Sequence, residues 1–202
     1  MKHEPTASRR PAAKPRPVQT HAVRIIGGQY KRTRLPVADK PGLRPTPDRV
    51  RETLFNWLGQ DLRGWRCLDA FAGTGALGFE AASRGAQAVR LVELDAVLVA
   101  QLQRIQGQLQ AQAVQVVRGD GLAALRQQAP ASLELVLLDP PFDSALFLPA
   151  LQAVRPTLSA HGWVYLEAPT RWDEETLAAL GLRLHRYLKA GAVHAHLLAS
   201  QT

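Results

Sequence analysis

The chain has 202 residues, of which 46% are hydrophobic and 6% aromatic, and its formal net charge is +8. This length suits one domain with an appendage and allows a substantial core. The single cysteine, Cys67, excludes disulfides within the chain and Cys-based zinc sites. No apolar run is long enough to cross a bilayer, and the basic N-terminus lacks the apolar segment of a secretory signal, so we expect a cytoplasmic protein.

The positive charge is concentrated at the N-terminus. Residues 1–44 contain eleven Lys or Arg and two acidic residues, whereas residues 45–202 contain fourteen basic and fifteen acidic residues. A basic terminal block is often only a solvated tail. Here the block continues into a segment with strand-like patterns, which favours a polyanionic partner.

The N-terminal residues divide into two predicted segments. Residues 1–20 are rich in Pro, Ala and basic side chains, with too little apolar content to fold alone, so we predict a disordered basic arm. Residues 21–44 predict a small basic β-hairpin with strands near 23–26 and 34–37. Its candidate nucleic-acid contacts are Arg24, Tyr30, Lys31, Arg32 and Arg34. Tyr30 fits equally well as a stacking ring for a base or as a packing residue.

The remaining residues, 45–202, predict one α/β domain. A helix is expected from Pro47 to Leu58, with Thr46 as its N-cap. Predicted strands then cover 67–71, 88–94, 114–118, 133–138 and 163–168, and predicted helices cover 77–83, 96–110, 122–128, 146–158 and 174–180. Two last strands, 182–188 and 193–199, predict an antiparallel C-terminal hairpin. This order predicts a doubly wound, mainly parallel seven-stranded sheet with right-handed crossovers.

A glycine-rich turn connects the first predicted strand of this array to its first helix. Gly73, Gly75 and Gly78 form the pattern G-x-G-x-x-G, in which glycines let backbone N–H groups approach a ligand closely. Glu93 follows Gly73 by twenty residues, at the end of the second strand, where a carboxylate accepts ribose hydroxyls. The pattern predicts a nucleotide-containing cofactor, and it does not by itself separate NAD from S-adenosylmethionine.

Two further carboxylates favour S-adenosylmethionine. Asp69 precedes Gly73 by four residues and suits a ligand with an ammonium group better than one with a pyrophosphate. Asp120, at the end of the third strand, offers an acceptor for an adenine amino group. A pocket with these acids would attract sulfonium and ammonium charges and repel the phosphates of a dinucleotide.

The sequence Asp139-Pro140-Pro141-Phe142 follows the apolar strand 133–138. Prolines fix φ and cannot donate ladder hydrogen bonds, so the strand ends there in a stiff loop. Ligands bind at the carboxyl ends of strands in open α/β sheets. Asp139 would therefore be a rigid acceptor, and Phe142 a flat apolar surface, for a planar group with N–H donors. Alternatively, Asp139 caps the next helix and Phe142 only packs.

These motifs together resemble those of Rossmann-like, S-adenosylmethionine-dependent amino-methyltransferases. More narrowly, R-I-I-G-G-Q-Y-K at 24–31, L-R-P-T-P-D-R-V-R-E-T-L-F-N-W-L at 43–58 and D-A-F-A-G-T-G-A-L-G at 69–78 resemble the bacterial RsmD family, over roughly residues 23–199. That family methylates the exocyclic N2 of one guanine in 16S ribosomal RNA. The resemblance implies a class I methyltransferase fold, an S-adenosylmethionine cofactor, and ribosomal RNA or the assembling small ribosomal subunit as partner.

The resemblance also assigns residues to roles. Cofactor binding would fall to Asp69, Phe71, Gly73, Gly75, Glu93, Leu94, Asp120, Gly121, Arg44 and Thr46, the last two closing over the cofactor. The target base would be held by Asp139, Pro140, Pro141 and Phe142. Two N–H bonds of the amine would be accepted by the Asp139 carboxylate and the Pro140 carbonyl. No general base is identifiable in the sequence. We expect a monomer without a bound metal.

Three alternatives stay open from sequence. The same chemistry fits other amines, such as those of adenine or cytosine in DNA or of a glutamine side chain. The glycine pattern with Glu93 also fits an NAD-dependent dehydrogenase, although that function leaves the D-P-P-F loop unexplained. A non-catalytic RNA-binding protein on a methyltransferase-like scaffold is the third, and the acidic pocket argues against it.

Overall fold

The computed structural model describes residues 22–38, 40, 43 and 45–201. The predicted arm, residues 1–20, and Arg44 lie outside the described residues. Within them the strands are β1 (Ala22–Arg24), β2 (Arg34–Pro36), β3 (Arg66–Asp69), β4 (Ala88–Glu93), β5 (Val114–Arg118), β6 (Leu133–Leu138), β7 (Leu158–Ala168), β8 (Leu182–Ala190) and β9 (Val193–Ser200). The α-helices are α1 (Asp48–Trp57), α2 (Ala76–Ser83), α3 (Ala96–Leu109), α4 (Gly121–Arg126), α5 (Phe147–Val154) and α6 (Glu174–Ala179).

In the described chain, seven strands form one sheet in the order β5-β4-β3-β6-β7-β9-β8. The pairs from β5 to β7 are parallel, whereas β9 is antiparallel to both β7 and β8. The predicted mainly parallel sheet with an antiparallel C-terminal hairpin is therefore confirmed. The strand order reverses between β3 and β6, and in doubly wound sheets the crevice at such a point binds ligands.

Helices cover both faces of the sheet because its central strands are apolar on both sides. Along β6, Leu135 and Leu137 belong to one core and Val136 and Leu138 to the other. The first core includes buried residues of α1 and α2, and the second includes residues of α4, α5 and α6. A strand with no exposed face reads as a continuous hydrophobic run, which is the pattern seen here.

The predicted N-terminal hairpin forms as an antiparallel pair, β1 with β2. Its inward side chains, Val23, Ile25 and Leu35, are buried in the first core together with Leu54 and Phe55 of α1. Burial of each such side chain contributes about 1.5–3 kcal/mol. The hairpin is thus anchored to the sheet domain by apolar packing, while the separate domain boundaries at 20 and 44 stay a prediction.

Two predicted helix ends are wrong. The N-cap of α1 is Pro47 without a side-chain cap, so Thr46 is not the N-cap and Pro47 is not the first helical residue. The Thr46 carbonyl instead accepts a hydrogen bond from the buried Arg51 side chain, at 3.2 Å. The helix predicted to reach residue 158 ends at Val154, and a 3₁₀ turn with Pro156 follows, because proline cannot donate the next helical hydrogen bond.

None of the helices in the described ranges is long and apolar enough to span a bilayer.

Candidate active site

Three carboxylates lie at the carboxyl edge of the central strands. Asp69 is the last residue of β3, Asp139 directly follows β6, and Glu167 is the penultimate residue of β7. The strand register pairs Asp69 with Leu137, and Leu137 with Tyr165. Residues two apart in a strand point to the same face. Asp69, Asp139 and Glu167 therefore form a row, here called the acidic row, on one face of the sheet at the point where its order reverses.

The glycine turn lies beside this row. Gly73 and Gly75 have φ values of +51° and +77°, in the left-handed region that favours glycine. Gly75 is also the N-cap of α2. The Glu93 carboxylate accepts hydrogen bonds from the backbone N–H of Gly73, at 2.9 Å, and of Asp95, at 2.8 Å. The end of β4 thus fixes the turn, and Glu93 keeps further acceptor capacity because a carboxylate has about four lone-pair sites.

Asp69 is buried, yet one of its oxygens is unpaired. Oδ2 accepts a hydrogen bond from the Gly78 backbone N–H at 3.1 Å, whereas Oδ1 has no partner in the part of the chain that the structure describes. Burial, with smaller contributions from the charges of Glu93 and Glu167, raises the pKa of Asp69 to about 7, although nearby backbone N–H groups oppose the shift. An orphaned buried acceptor calls for a donor from outside the chain, and a ligand ammonium fits that requirement.

The other predicted cofactor residues form an apolar wall with polar ends. Leu94, next to Glu93, is 67% exposed, so its apolar side chain is accessible to an adenine ring beside the ribose-binding carboxylate. A Cβ on Gly121 would lie 2.2 Å from the Ala70 carbonyl oxygen and 3.0 Å from the Phe71 ring, so these segments approach closely. The chain thus offers one acid for an ammonium group, one for a ribose and an apolar surface between them, and these features fit S-adenosylmethionine.

Asp120 has a structural role that the sequence did not predict. It is the N-cap of α4, and its Oδ1 accepts a hydrogen bond from the Ala123 backbone N–H at 2.7 Å. Its side chain is exposed at the edge of the apolar wall. The predicted hydrogen bond from an adenine amino group would use the second oxygen, and it stays a prediction.

The D-P-P-F loop is a tight turn. The Pro141 carbonyl accepts hydrogen bonds from the backbone N–H and the hydroxyl of Ser144, at 3.0 and 2.6 Å. Pro140 is buried, whereas Phe142 is 37% exposed. The N-cap of α5 is Leu146 and has no side-chain cap, so the alternative in which Asp139 caps the next helix is wrong. Burial raises the pKa of Asp139 well above its ordinary value, and the charges of Glu167 and Asp69 raise it further.

Glu167 is the site residue that sequence reasoning missed. It is 2% exposed and accepts a hydrogen bond from the Tyr165 hydroxyl at 2.8 Å. Burial raises its pKa, and the Tyr165 hydrogen bond and the positive charge of Arg51 oppose this shift only in part. The signal in the sequence is one charged residue inside an otherwise apolar strand. Thr46, predicted to close over the cofactor, is buried and does not cap α1.

Comparison with known proteins identifies the family. The family model described as Conserved hypothetical protein 95 matches residues 23–199. The chain belongs to this family, the RsmD family. Ribosomal RNA small subunit methyltransferase D of Escherichia coli is 41% identical over 177 residues, which cover 85% of this chain and 86% of the relative. The protein of that name from Haemophilus influenzae is 38% identical over 180 residues, with coverages of 81% and 93%.

Solved structures agree with this membership. The structure of yhhF from Escherichia coli, described as a candidate methyltransferase, matches with a TM-score of 0.77 and 37% identity, and it covers 90% of this chain and 99% of that one. The methylase HI0767 from Haemophilus influenzae, described in the same way, gives a TM-score of 0.72 and 31% identity, with coverages of 88% and 98%. The residues matched by the family model, 23–199, include the glycine turn and all three residues of the acidic row.

The predicted RNA contacts of this RsmD-family chain lie on the hairpin. Arg24, Lys31, Arg32 and Arg34 are exposed, although Arg24 forms an ion pair with Asp48 at 2.7 Å. Tyr30 is half-buried and packs against the first core, as the packing interpretation predicted. In the hairpin turn, Gln29 donates its backbone N–H to the carbonyl of Ser83, the last residue of α2. The turn is therefore about 12 Å, the length of this helix, from the glycine turn at its other end.

Among the described residues, no group of three or more His, Cys, Asp or Glu is arranged to hold a metal ion.

Proposed function

We propose that this RsmD-family chain transfers a methyl group from S-adenosylmethionine to the exocyclic N2 amine of a guanine in 16S ribosomal RNA. The observation that carries the proposal is the acidic row beside the glycine turn, with the unpaired Asp69 oxygen at one end and Asp139 in its rigid loop. The names of the relatives support ribosomal RNA of the small subunit as the substrate. A cytoplasmic location and a monomeric state remain predictions.

The acceptor-only character of the site supports guanine over the other bases. The Watson–Crick edge of guanine presents N1–H beside the N2 amine, so both positions are donors. Adenine and cytosine present a ring-nitrogen acceptor beside their amine, and an acceptor would face the carboxylates unfavourably. Ionised carboxylates have no donor to offer. Asp139 and the neighbouring Glu167 therefore match a donor–donor edge.

The chain would catalyse methyl transfer mainly by aligning the amine with the methyl donor. An exocyclic guanine amine is a weak nucleophile because its lone pair is delocalised into the ring. If the Asp139 carboxylate and the Pro140 carbonyl accept its two N–H bonds, the nitrogen can pyramidalise and direct its lone pair at the methyl carbon. The cofactor supplies that methyl group in activated form on a sulfonium, and Asp69 and Glu93 would hold its ammonium and ribose. Fixed acceptors and orientation then supply most of the rate enhancement.

Phe142 supplies the flat surface for the target base. At 37% exposure its ring is available for stacking on a base taken out of its helix or loop. Stacking of a base on an aromatic ring contributes about 1–3 kcal/mol. Since Pro140 and Pro141 limit the backbone freedom of the loop, little entropy is lost when the base binds.

The first test is replacement of Asp139 with Ala. With unmodified ribosomal RNA from a strain that lacks the corresponding methyltransferase, we expect methyl transfer to fall on the order of 10²–10³-fold or more. Binding of S-adenosylmethionine, measured by calorimetry, should change little. Asp143→Asn, an exposed acid in the same loop, is the matched control and should keep activity. Full activity of Asp139→Ala, or a methyl group mapped to adenine or cytosine, would contradict the proposal.

The second test concerns the basic hairpin as the RNA contact. Removing the hairpin would expose the first core, so exposed charges are changed instead: Lys31, Arg32 and Arg34 to Gln together. The slope of log affinity for RNA against log salt should decrease by about 0.7–0.9 for each lost phosphate contact. Arg126→Gln, on the opposite face, is the control. An unchanged slope would show that RNA binds elsewhere.

A further inference from the structure

Glu167 is a buried carboxylate whose pKa is raised by burial, but it has partners that oppose this shift. The Tyr165 hydroxyl donates a hydrogen bond to its Oε1 at 2.8 Å. The guanidinium of Arg51, which is fully buried, adds a positive charge nearby. Hydrogen bonds and an opposite charge both favour a carboxylate over a carboxylic acid. Glu167 therefore has two partners that favour its ionised form, the Tyr165 hydroxyl and the Arg51 guanidinium.

Asp139 lies next to Glu167 in surroundings of the opposite kind. Continuing the register of β6 with β7 places Asp139 beside Glu167, and adjacent strands are about 4.8 Å apart. Burial and the negative charges of Glu167 and Asp69 all disfavour ionisation of Asp139. Glu93 adds negative charge on the far side of Asp69. Like charges this close do not all ionise, so the row holds a proton, and the least supported carboxylate carries it.

We propose that Glu167 is a positioning residue that keeps a fixed negative charge beside Asp139, so that Asp139 holds a proton until the cationic methyl donor binds and drives that proton into solvent. This inference rests on the proposed function, because it assumes a sulfonium next to Asp139. It predicts an order of events, in which the methyl donor binds first and Asp139 only then becomes an acceptor for the amine. An Asp139 that is still protonated would present a donor to the amine and hold it poorly.

Protons are balanced over one reaction cycle. When the methyl–sulfur bond breaks and the methyl–nitrogen bond forms, the positive charge passes from sulfur to nitrogen. The amine then loses one N–H proton to the Asp139 carboxylate, which returns to its protonated resting form. The next cationic methyl donor displaces that proton, so one proton leaves the protein for each methyl group transferred. Asp139 is thus the proton acceptor that the sequence did not reveal. The negative charge of Glu167 keeps Asp139 protonated while no methyl donor is bound.

The test compares two ligands that differ in the sulfonium. S-adenosylmethionine carries that charge and S-adenosylhomocysteine lacks it, while both carry the ammonium group that Asp69 would bind. Calorimetry near neutral pH, in buffers of different ionisation enthalpy, gives the protons released on binding each ligand. We expect S-adenosylmethionine to release more, by up to about one proton per site. Equal release for the two ligands would overturn the inference.

Variants assign the difference to residues. The difference should disappear in Asp139→Asn and shrink in Glu167→Gln. Asp69→Asn should change the release for both ligands, and it should also shrink the difference, because the Asp69 charge likewise disfavours ionisation of Asp139. Glu175→Gln, an exposed acid on α6, is the control and should match the unchanged chain. Tyr165→Phe, which removes the hydroxyl donor from Glu167 without removing the acid, should also reduce the difference, and it serves if Glu167→Gln does not fold.

The pH profile separates positioning from a merely structural role. Removing the charge of Glu167 lowers the pKa of Asp139, so the acidic limb of kcat/KM in Glu167→Gln should move down by about one to two pH units. A structural role would lower the rate at every pH and leave the limb in place, and that result would refute the inference. Failure of either ligand to bind, or absence of methyl transfer to RNA, would instead refute the proposed function.

Discussion

Replacing Glu80 with Gln tests the buried network that joins the β-hairpin to the sheet domain. Glu80 is fully buried on α2, and its two oxygens accept hydrogen bonds from the backbone N–H of Ile26, at 2.7 Å, and of Gly27, at 2.8 Å. The same carboxylate pairs with Arg84 at 2.8 Å and with Arg51 at 3.4 Å. One acid thus satisfies two hairpin amides and two buried guanidinium groups.

The expected cost follows from what the amide cannot do. Gln keeps one acceptor, but its NH₂ group faces a backbone N–H of the hairpin, and the charge opposite Arg51 and Arg84 is lost. Removing one partner from a buried ion pair costs about 3–5 kcal/mol, and leaving a buried N–H unpaired costs about 1–3 kcal/mol. These contributions overlap, because Arg51 keeps its pair with Asp48 at 2.6 Å. We therefore expect Glu80→Gln to lower the free energy of unfolding by about 3–5 kcal/mol.

Urea unfolding measures the loss, and hydrogen exchange locates it. The amides of Ile26 and Gly27 should lose protection, while those of the central strands change only with global stability. The control is Glu174→Gln, since the exposed pair of Glu174 with Arg171, at 3.8 Å, contributes only about 0–1 kcal/mol. A cost below about 1 kcal/mol for Glu80→Gln, or full protection of the two amides, would refute this account of the network.

Two other predictions concern a buried histidine and the glycine turn. Burial lowers the pKa of His196, which accepts a hydrogen bond from the Trp172 backbone N–H at 3.1 Å, to about 4 from its ordinary 6.5. The unfolded chain therefore binds this proton first. The contribution of His196 to stability is complete above pH 6.5 and should fall by about 3 kcal/mol as the pH drops towards 4, which urea unfolding measures as the difference in pH dependence between the unchanged chain and His196→Gln. Gly75→Ala places a Cβ 2.6 Å from a Leu102 methyl, at a φ of +77°. We expect the free energy of unfolding to fall by about 2 kcal/mol and S-adenosylmethionine to bind more weakly in calorimetry. The control is Gly107→Ala, which has open space around its Cβ and should be neutral or stabilising.

The strands and helices were predictable because each one is determined largely by its own residues and those that flank it. Strand 133–138 is apolar on both faces and is followed by two prolines, so its type and its end both follow from the residues themselves. The errors lie where one local rule competes with another. Apolar spacing extended the predicted helix to residue 158, whereas Pro156 ends it. Thr46 has the chemistry of an N-cap, but the N-cap of α1 is the next residue, Pro47, without a side-chain cap.

The candidate site was predictable only where its residues follow one another along the chain. Asp69 and the glycines belong to one strand–turn–helix unit, so their proximity follows from the topology. Glu167 has no such signature, since its role depends on the strand register that places it beside Asp139. Asp120 has a local capping role that the sequence analysis did not predict, and its contact with a ligand stays a prediction.

Arg51 connects the hairpin network to the acidic row. Arg51 donates to the Glu80 carboxylate and to the Thr46 carbonyl, and its positive charge opposes the rise in the pKa of Glu167. Contiguity of this kind does not by itself couple two sites; coupling requires that a change at one alters an equilibrium at the other. The unfolding free energy of Glu80→Gln and its proton release on binding the methyl donor therefore carry different information. Loss of stability with unchanged proton release would mean that Arg51 only anchors the hairpin. Loss of both would mean that the hairpin network contributes to the ionisation of Asp139 through this arginine.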